Sequence, residues 1–159
     1  MRLNILSEDE NLLVIDKPAG IIVFLEGGIN KKTLADYLLE RYPNFKKFGK
    51  PPRYGIVHRL DKETSGILLI AKNSQALNFL QKQFKEGKVL KKYLALVVGN
   101  LKQNQGKIET LIGRSPKNRK KQKAFSIYDP EAKRKGLRLA KTEYKVLQRF
   151  KGYTLIEAF

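Results

Sequence analysis

The sequence predicts an α+β domain in which helices flank a mixed, largely antiparallel sheet. Segments with the short apolar or alternating character of strands outnumber those with helical periodicity. Many of the connections between them are too short for a helical crossover, which favours antiparallel pairing. At 159 residues, of which 42% are hydrophobic, the chain is long enough to close the core of one globular domain.

The first elements are a strand, a turn, a second strand and a helix. LLVID at 12–16 is typical of a strand that ends at KPAG, and IIVF at 21–24 resumes extended structure after the turn. TLADYLLERY at 33–42 spaces its apolar residues helically, and Thr33 with Asp36 predicts an N-terminal cap. A stretch rich in proline, glycine and lysine then ends this helix.

The later elements continue the α+β pattern. ILLIA at 67–71 predicts a central strand. SQALNFLQKQFKEG at 74–87 predicts a helix of about three turns, capped by Ser74 and ended by Gly87. Three further strands are predicted at KKYLALVVG (91–99), TEYKVLQ (142–148) and YTLIEA (153–158).

The composition points to a polyanionic partner. The chain has 33 Lys and Arg against 15 Asp and Glu, a net charge of +18, and no basic amphipathic helix that would bind a membrane surface. Nucleic acid is therefore the expected partner. The absence of cysteine excludes disulfides and thiolate metal sites, and no signal-type or bilayer-spanning apolar segment is found. We expect a soluble, cytoplasmic protein.

The positive charge is concentrated late in the chain. Residues 114–151 hold fourteen basic and three acidic residues, a net +11. RSPKNRKKQKAFSIYDPEAKRKG at the start of this range predicts an exposed loop or hairpin. A solvated surface is the simplest interpretation, but the concentration of charge, with aromatic residues interleaved, favours contact with an RNA or DNA backbone. The predicted contacts are Arg119, Lys120, Lys121 and Lys123.

The segment GIVHRLDKETSGILLIAKN at 55–73 contains the candidate catalytic residues. His58 is the only histidine, and no serine or cysteine nucleophile is paired with it, so we expect a structural hydrogen bond in preference to general-base catalysis. A histidine-based metal site is disfavoured because the chain has no second histidine and no acidic ligand spacing.

Asp61 has two interpretations from the residues alone. Arg59 and Lys62 flank it, and nearby positive charge favours the ionised carboxylate, which can attack an anomeric carbon as a nucleophile. Gly66 would permit an unusual backbone angle before the strand enters the core. A loop capped by Asp61, with an Arg-Asp salt bridge, is equally compatible with the same residues.

HRLDKETSG at 58–66 resembles the signature of the RluA-like branch of the RNA pseudouridine synthases. Four further segments resemble the family's in the same order along the chain. They are NLLVIDKPAGIIV (11–23), LLIAKN (68–73), LKKYLALVVG (90–99) and LAKTEYKVL (139–147). The resemblance covers nearly the whole chain and implies isomerisation of uridine to pseudouridine in structured ribosomal or transfer RNA. It implies no metal or organic cofactor.

The resemblance also implies roles for individual residues. Asp61 matches the family's nucleophilic aspartate, Tyr93 the tyrosine that stacks on the target base and takes part in proton transfer, and Arg59 the arginine that holds the RNA open around the flipped nucleotide. Lys17, Pro18 and Gly20 match a motif beside the active site with a mainly architectural role. The alternative is a non-enzymatic RNA-binding module or assembly factor that retains the synthase fold.

The resemblance implies more chain than the sequence contains. Family members continue past the strand that matches YTLIEAF into a GRTHQIR-like segment, whose basic residue pairs with the catalytic aspartate, whereas this sequence stops at Phe159. We expect residues 1–159 to be a synthase catalytic domain that lacks its C-terminal part and an N-terminal accessory RNA-binding domain. We also expect low activity of this chain alone, and self-association through an exposed edge of the last strand.

Overall fold

A computed structural model describes residues 3–25, 31–118, 121–132 and 136–159. The chain divides into two compact units, Met1–Val89 and Leu90–Phe159. Every strand pairing in the described residues is antiparallel, and helices accompany the strands. The predicted α+β class and its antiparallel character are confirmed.

The first unit contains a three-stranded sheet of order β1-β2-β3. Its strands are β1 (Asn4–Glu8), β2 (Leu12–Lys17) and β3 (Gly66–Ala71). The prediction of a central strand at 67–71 is wrong, because β2 pairs with β1 on one side and with β3 on the other. Alternate residues of β2 are buried, which directs Leu13 and Ile15 into the core with Leu68 and Ile70.

The first helix, α1 (Leu34–Arg41), begins with the predicted cap. The Thr33 hydroxyl accepts from the Asp36 N–H, and an Asp36 carboxylate oxygen accepts from the Thr33 N–H at 2.7 Å. The predicted strand at 21–24 is wrong. The Ile22 and Val23 carbonyls instead accept from the first two N–H groups of α1, at 2.9 Å each, because a helix start leaves such donors unpaired. A 3-10 helix at Pro43–Lys47 follows α1.

The second helix, α2 (Ser74–Lys85), has a different cap from the one predicted. Asn73 is the N-cap, since its backbone is extended and its side-chain oxygen accepts from the Ala76 N–H at 2.8 Å. Ser74 is the first helical residue instead. Gly87 ends the helix as predicted, with φ +67° just after the C-cap residue.

The second unit is a five-stranded sheet of order β4-β8-β7-β5-β6. Its strands are β4 (Tyr93–Val98), β5 (Gln105–Arg114), β6 (Gln122–Phe125), β7 (Arg138–Phe150) and β8 (Tyr153–Ala158). The predicted open edge at the last strand is wrong, because β8 pairs with β4 on one side and β7 on the other. Among the described strands, the sheet edges are β4 and β6.

The predicted basic hairpin forms in part. β5 and β6 pair between Leu111 and Phe125 and between Arg114 and Gln122, so the two described lysines between the strands, Lys117 and Lys121, lie at the closed end of a hairpin. Neither helix in the described ranges has both the length and the apolar character needed to cross a bilayer.

Candidate active site

The segment that precedes Asp61 is fixed to the free edge of β3. Gly55 accepts from the Ala71 N–H at 2.8 Å, and Ile56 forms a bridge with Ile70. A Cβ at Gly55 would lie 2.2 Å from the Ala71 carbonyl oxygen, so only glycine allows this close approach. The sheet therefore positions the start of the signature segment.

His58 completes this attachment. Its Nε2 accepts from the Leu69 N–H at 3.0 Å, and its ring stacks on Phe84 of α2 with centroids 4.8 Å apart and planes 20° apart. One ring nitrogen therefore satisfies a backbone donor of β3 that β2 does not reach. This arrangement agrees with the structural interpretation of His58.

Asp61 lies in a tight turn immediately after this attachment. Its carbonyl accepts from the Thr64 N–H at 3.1 Å, and its side chain is exposed, whereas the preceding Leu60 is buried. Gly66, which begins β3, has φ +134°, so the predicted unusual backbone angle is present. The described residues contain no ion pair between Asp61 and an arginine, and Lys62 pairs with Glu63 at 3.0 Å.

The buried side chain of Lys17 binds the turn that contains Asp61. Its Nζ donates to the carbonyls of Pro18 at 2.8 Å, Ile21 at 3.0 Å and Lys62 at 3.2 Å, and the side chain is completely buried. The Lys62 carbonyl also accepts from the Gly20 N–H at 2.8 Å. Two donors, the Lys17 ammonium and the Gly20 N–H, thus hold the carbonyl of the residue that follows Asp61.

The Lys17 ammonium has a perturbed protonation equilibrium. Burial lowers its pKa, and the carboxylates of Glu63 and Asp61 offset part of this effect. The charge of Lys17 is therefore close enough to Asp61 to interact with it. Sequence reasoning assigned the motif an architectural role but did not identify Lys17 as buried; the alternation of β2, which directs residues 13, 15 and 17 to one face, was the available signal.

Arg59 and Arg53 lie against one aromatic ring of the first unit. The guanidinium carbon of Arg59 is 5.4 Å from the ring centroid of Phe24, and that of Arg53 is 4.9 Å away. Phe24 is buried, whereas both arginines are exposed. The sequence identified Arg59, but Arg53 comes next to it only through folding.

The other predicted site residues belong to the second unit. Tyr93 begins β4 opposite Ala158 and is exposed. Lys121 and Lys123 are exposed, and the Lys123 Nζ is 5.3 Å from the Phe125 ring centroid. Arg119 and Lys120 lie outside the described residues. Asp61 and Arg59 therefore share one short segment of the first unit.

The sequence and structure were compared with known proteins. The profile described as RNA pseudouridylate synthase matches residues 11–159. The chain is 41% identical over 153 residues to an "Uncharacterized RNA pseudouridine synthase" of Aquifex aeolicus, covering 96% of this chain and 46% of that protein. It is also 41% identical over 155 residues to the "Ribosomal large subunit pseudouridine synthase D" of Xanthomonas campestris, covering 98% and 43%. The chain spans about half the length of the curated relatives it matches.

Two solved human structures share the fold. "RNA Pseudouridylate Synthase Domain Containing 1" aligns with a TM-score of 0.76 at 24% identity, over 99% of this chain and 58% of that one. "RNA Pseudouridylate Synthase Domain Containing 4" aligns with a TM-score of 0.70 at 27% identity, over 98% and 57%.

Proposed function

The chain belongs to the RNA pseudouridylate synthase family, and on that premise we propose that it isomerises uridine to pseudouridine in structured ribosomal or transfer RNA. The observation that carries the proposal is the exposed Asp61 carboxylate in a turn that Lys17 and Gly20 fix through the Lys62 carbonyl. Relatives named as ribosomal large subunit synthases favour ribosomal RNA among the possible substrates.

In this proposal Asp61 is the nucleophile. The carboxylate attacks either the ribose C1′ or the uracil ring while the bond between C1′ and N1 of uracil breaks. The base then turns and its C5 bonds to C1′, while the bond to the Asp61 carboxylate breaks and releases the enzyme. C5 loses its proton to water, and N1 takes up one. The reaction rearranges one nucleotide without net oxidation, and atoms balance without a second substrate.

The target uridine has to leave its stack to meet Asp61. Extrusion of a base costs a few kcal/mol, which an aromatic surface and cationic contacts to the phosphates offset. We assign the stacking and proton-transfer role to Tyr93, and contact with the opened RNA to Arg59. Lys121 and Lys123, with Arg119 and Lys120, are assigned to the RNA backbone, where they act without reading sequence.

Release of label from C5 tests the proposal. The chain, and a version extended through any native sequence that follows it, are incubated with RNA carrying tritium at uracil C5. We expect tritium release into water, because the C5 proton leaves when the new glycosidic bond forms. No release from any cellular RNA by the extended protein would show that the proposal is wrong.

A non-enzymatic RNA-binding module is the second candidate. The net charge of +18 favours it, since charge alone supports RNA affinity without turnover. The two candidates differ in what Asp61 contributes, because a module that only binds RNA does not need this carboxylate.

Self-association is proposed through β4. This strand pairs only with β8 among the described strands, and the exposed fractions of Leu94, Leu96 and Val98 are 71%, 60% and 86%. An unpaired strand edge beside apolar side chains is a template for pairing with a second copy.

A further inference from the structure

A second basic segment precedes the signature and overlaps its first three residues, far along the chain from residues 114–151. Residues 46–60 contain five basic residues and no Asp or Glu. They are Lys46, Lys47, Lys50, Arg53 and Arg59, and all five are exposed. The formally charged side chains of this segment are therefore all positive.

We propose that Arg53 and Arg59, held together on the Phe24 ring, form a phosphate-binding pair that engages the RNA strand beside the uridine delivered to Asp61. The proposal rests on the proposed function, because it takes RNA as the ligand. It adds Arg53 to the RNA-binding residues and gives the Phe24 ring a role in holding both guanidinium groups.

The backbone around Arg53 is fixed before any ligand binds. The Arg53 N–H donates to the Lys50 carbonyl at 3.1 Å, and the Arg53 carbonyl accepts from the Ile56 N–H at 2.8 Å. Ile56 is itself bridged to Ile70 of β3. The sheet that positions the Asp61 segment therefore also positions Arg53, which lowers the conformational entropy lost on binding.

The contact with Phe24 favours phosphate as the ligand. A guanidinium group is a planar fork of N–H donors that keeps its charge beside an aromatic ring. The fork matches two phosphate oxygens in a bidentate arrangement. The guanidinium carbons cannot be farther apart than the sum of their distances to the Phe24 centroid, about 10 Å. Two cations at this spacing can share one phosphate or bind neighbouring phosphates of one strand.

The burial of Phe24 separates this pair from an ordinary surface cation cluster. The ring is only 3% exposed and belongs to the core cluster with Val23 and Leu34. A ring that is packed in the core has little freedom to move, so both guanidinium groups contact a surface whose position is fixed. Arg41 offers a comparison, because its guanidinium carbon also lies near an aromatic ring, 5.6 Å from the Tyr42 centroid, and its position precedes residues 46–60 in the sequence.

The test measures binding of an unmodified transcript of large-subunit ribosomal RNA to the full protein at several salt concentrations. Arg53→Gln, Arg59→Gln, the double variant and the control Arg41→Gln are compared. We expect Arg53→Gln to weaken binding about threefold to tenfold and to reduce the slope of log K against log salt by about one. Arg41→Gln should change neither. If both arginines hold the same phosphate, the double variant loses less than the product of the single losses.

A second substitution at Arg53 keeps the test decisive if the first variant does not fold. Arg53→Lys keeps the charge but loses the planar guanidinium group and its bidentate N–H fork, so we expect a smaller slope change than for Arg53→Gln together with weakened binding. Urea unfolding of each variant identifies any that do not fold. A folded Arg53→Gln or Arg53→Lys protein with wild-type affinity and salt slope would overturn the inference.

Turnover of the unsubstituted protein on C5-labelled RNA is measured in parallel. Release of label, with unchanged RNA binding in the Arg53 variants, overturns the phosphate-binding pair and leaves the isomerase proposal standing. Weakened binding in those variants supports the pair even if the extended protein releases no label from any cellular RNA, the result that overturns the isomerase.

Discussion

The Lys17 ammonium donates to the Lys62 carbonyl at 3.2 Å, one peptide beyond Asp61. This hydrogen bond joins the end of β2 to the turn that carries the candidate nucleophile. Because Lys17 is buried and also binds the Pro18 and Ile21 carbonyls, it has little freedom to move. The position of Asp61 therefore depends on a residue 44 positions earlier in the chain.

Lys17→Met should loosen the Asp61 turn and destabilise the first unit. The substitution nearly keeps the side-chain length but removes the ammonium donor of the Pro18 and Ile21 carbonyls and one of the two donors of the Lys62 carbonyl, which costs about 2 to 4 kcal/mol in the free energy of unfolding. Misplacement of Asp61 by roughly 1 Å would lower turnover about a hundredfold. Urea unfolding and tritium release measure the two effects. Lys85→Met, at an exposed position of α2, is the control and should alter neither.

Asp61→Ala should abolish turnover and leave RNA affinity within about twofold. The carboxylate takes part in bond exchange, whereas the affinity comes mainly from cationic contacts to phosphates. Tritium release and filter binding measure the two quantities. Glu63→Ala, which removes another exposed carboxylate two residues away, should retain turnover. Full activity of the Asp61 variant would show that the carboxylate takes no part in the reaction.

Substitution of His58 should lower the free energy of unfolding, and the loss should be smaller when the new side chain still offers a hydrogen-bond acceptor to the Leu69 N–H. His58→Leu leaves the Leu69 N–H unpaired, at a cost of about 1 to 3 kcal/mol in unfolding free energy. His58→Gln offers an amide oxygen in place of Nε2, so its loss should be smaller. Denaturant titrations of both proteins give the difference. Equal losses in the two variants would mean that the stack on Phe84, and not the hydrogen bond, is the important contact.

Neutralising the basic hairpin should flatten the salt dependence of RNA binding. The change replaces four residues together by Gln: Arg119, Lys120, Lys121 and Lys123. Each lost phosphate contact lowers the slope of log K against log salt by about one. A control of equal charge change replaces four exposed lysines around the end of α2: Lys82, Lys85, Lys88 and Lys91. A slope that stays at the wild-type value in the hairpin variant would identify the hairpin as merely solvated.

Self-association through β4 should increase with salt. The net charge of +18 drives copies apart, and screening reduces this repulsion while leaving apolar burial intact. Light scattering should therefore report a rising mass with salt, and Leu96→Thr should reduce the rise. Leu6→Thr, at an exposed fraction of 53% against 60% for Leu96, is the matched control. A monomer at every salt concentration would refute this prediction.

Local patterns in the sequence were sufficient for several features. The capping box at Thr33 and Asp36, the helix end at Gly87 and the unusual backbone of Gly66 each depend on residues a few positions apart. The same holds for the strands LLVID and YTLIEA, whose apolar character does not depend on which strand pairs with them. The signature around Asp61 belongs with these features, because its nine residues are contiguous.

Pairing partners and long-range contacts were decided by the tertiary structure. The sequence alone determined most of the helices and strands, the basic character and the candidate nucleophile. It did not show that β8 lies between β4 and β7, or that the Ile22 and Val23 carbonyls accept from the start of α1. It also did not bring Arg53 to the ring of Phe24. A strand's apolar pattern specifies which face is buried but not which strand lies beside it, and hydrogen-bond acceptors are chosen by proximity that only folding creates.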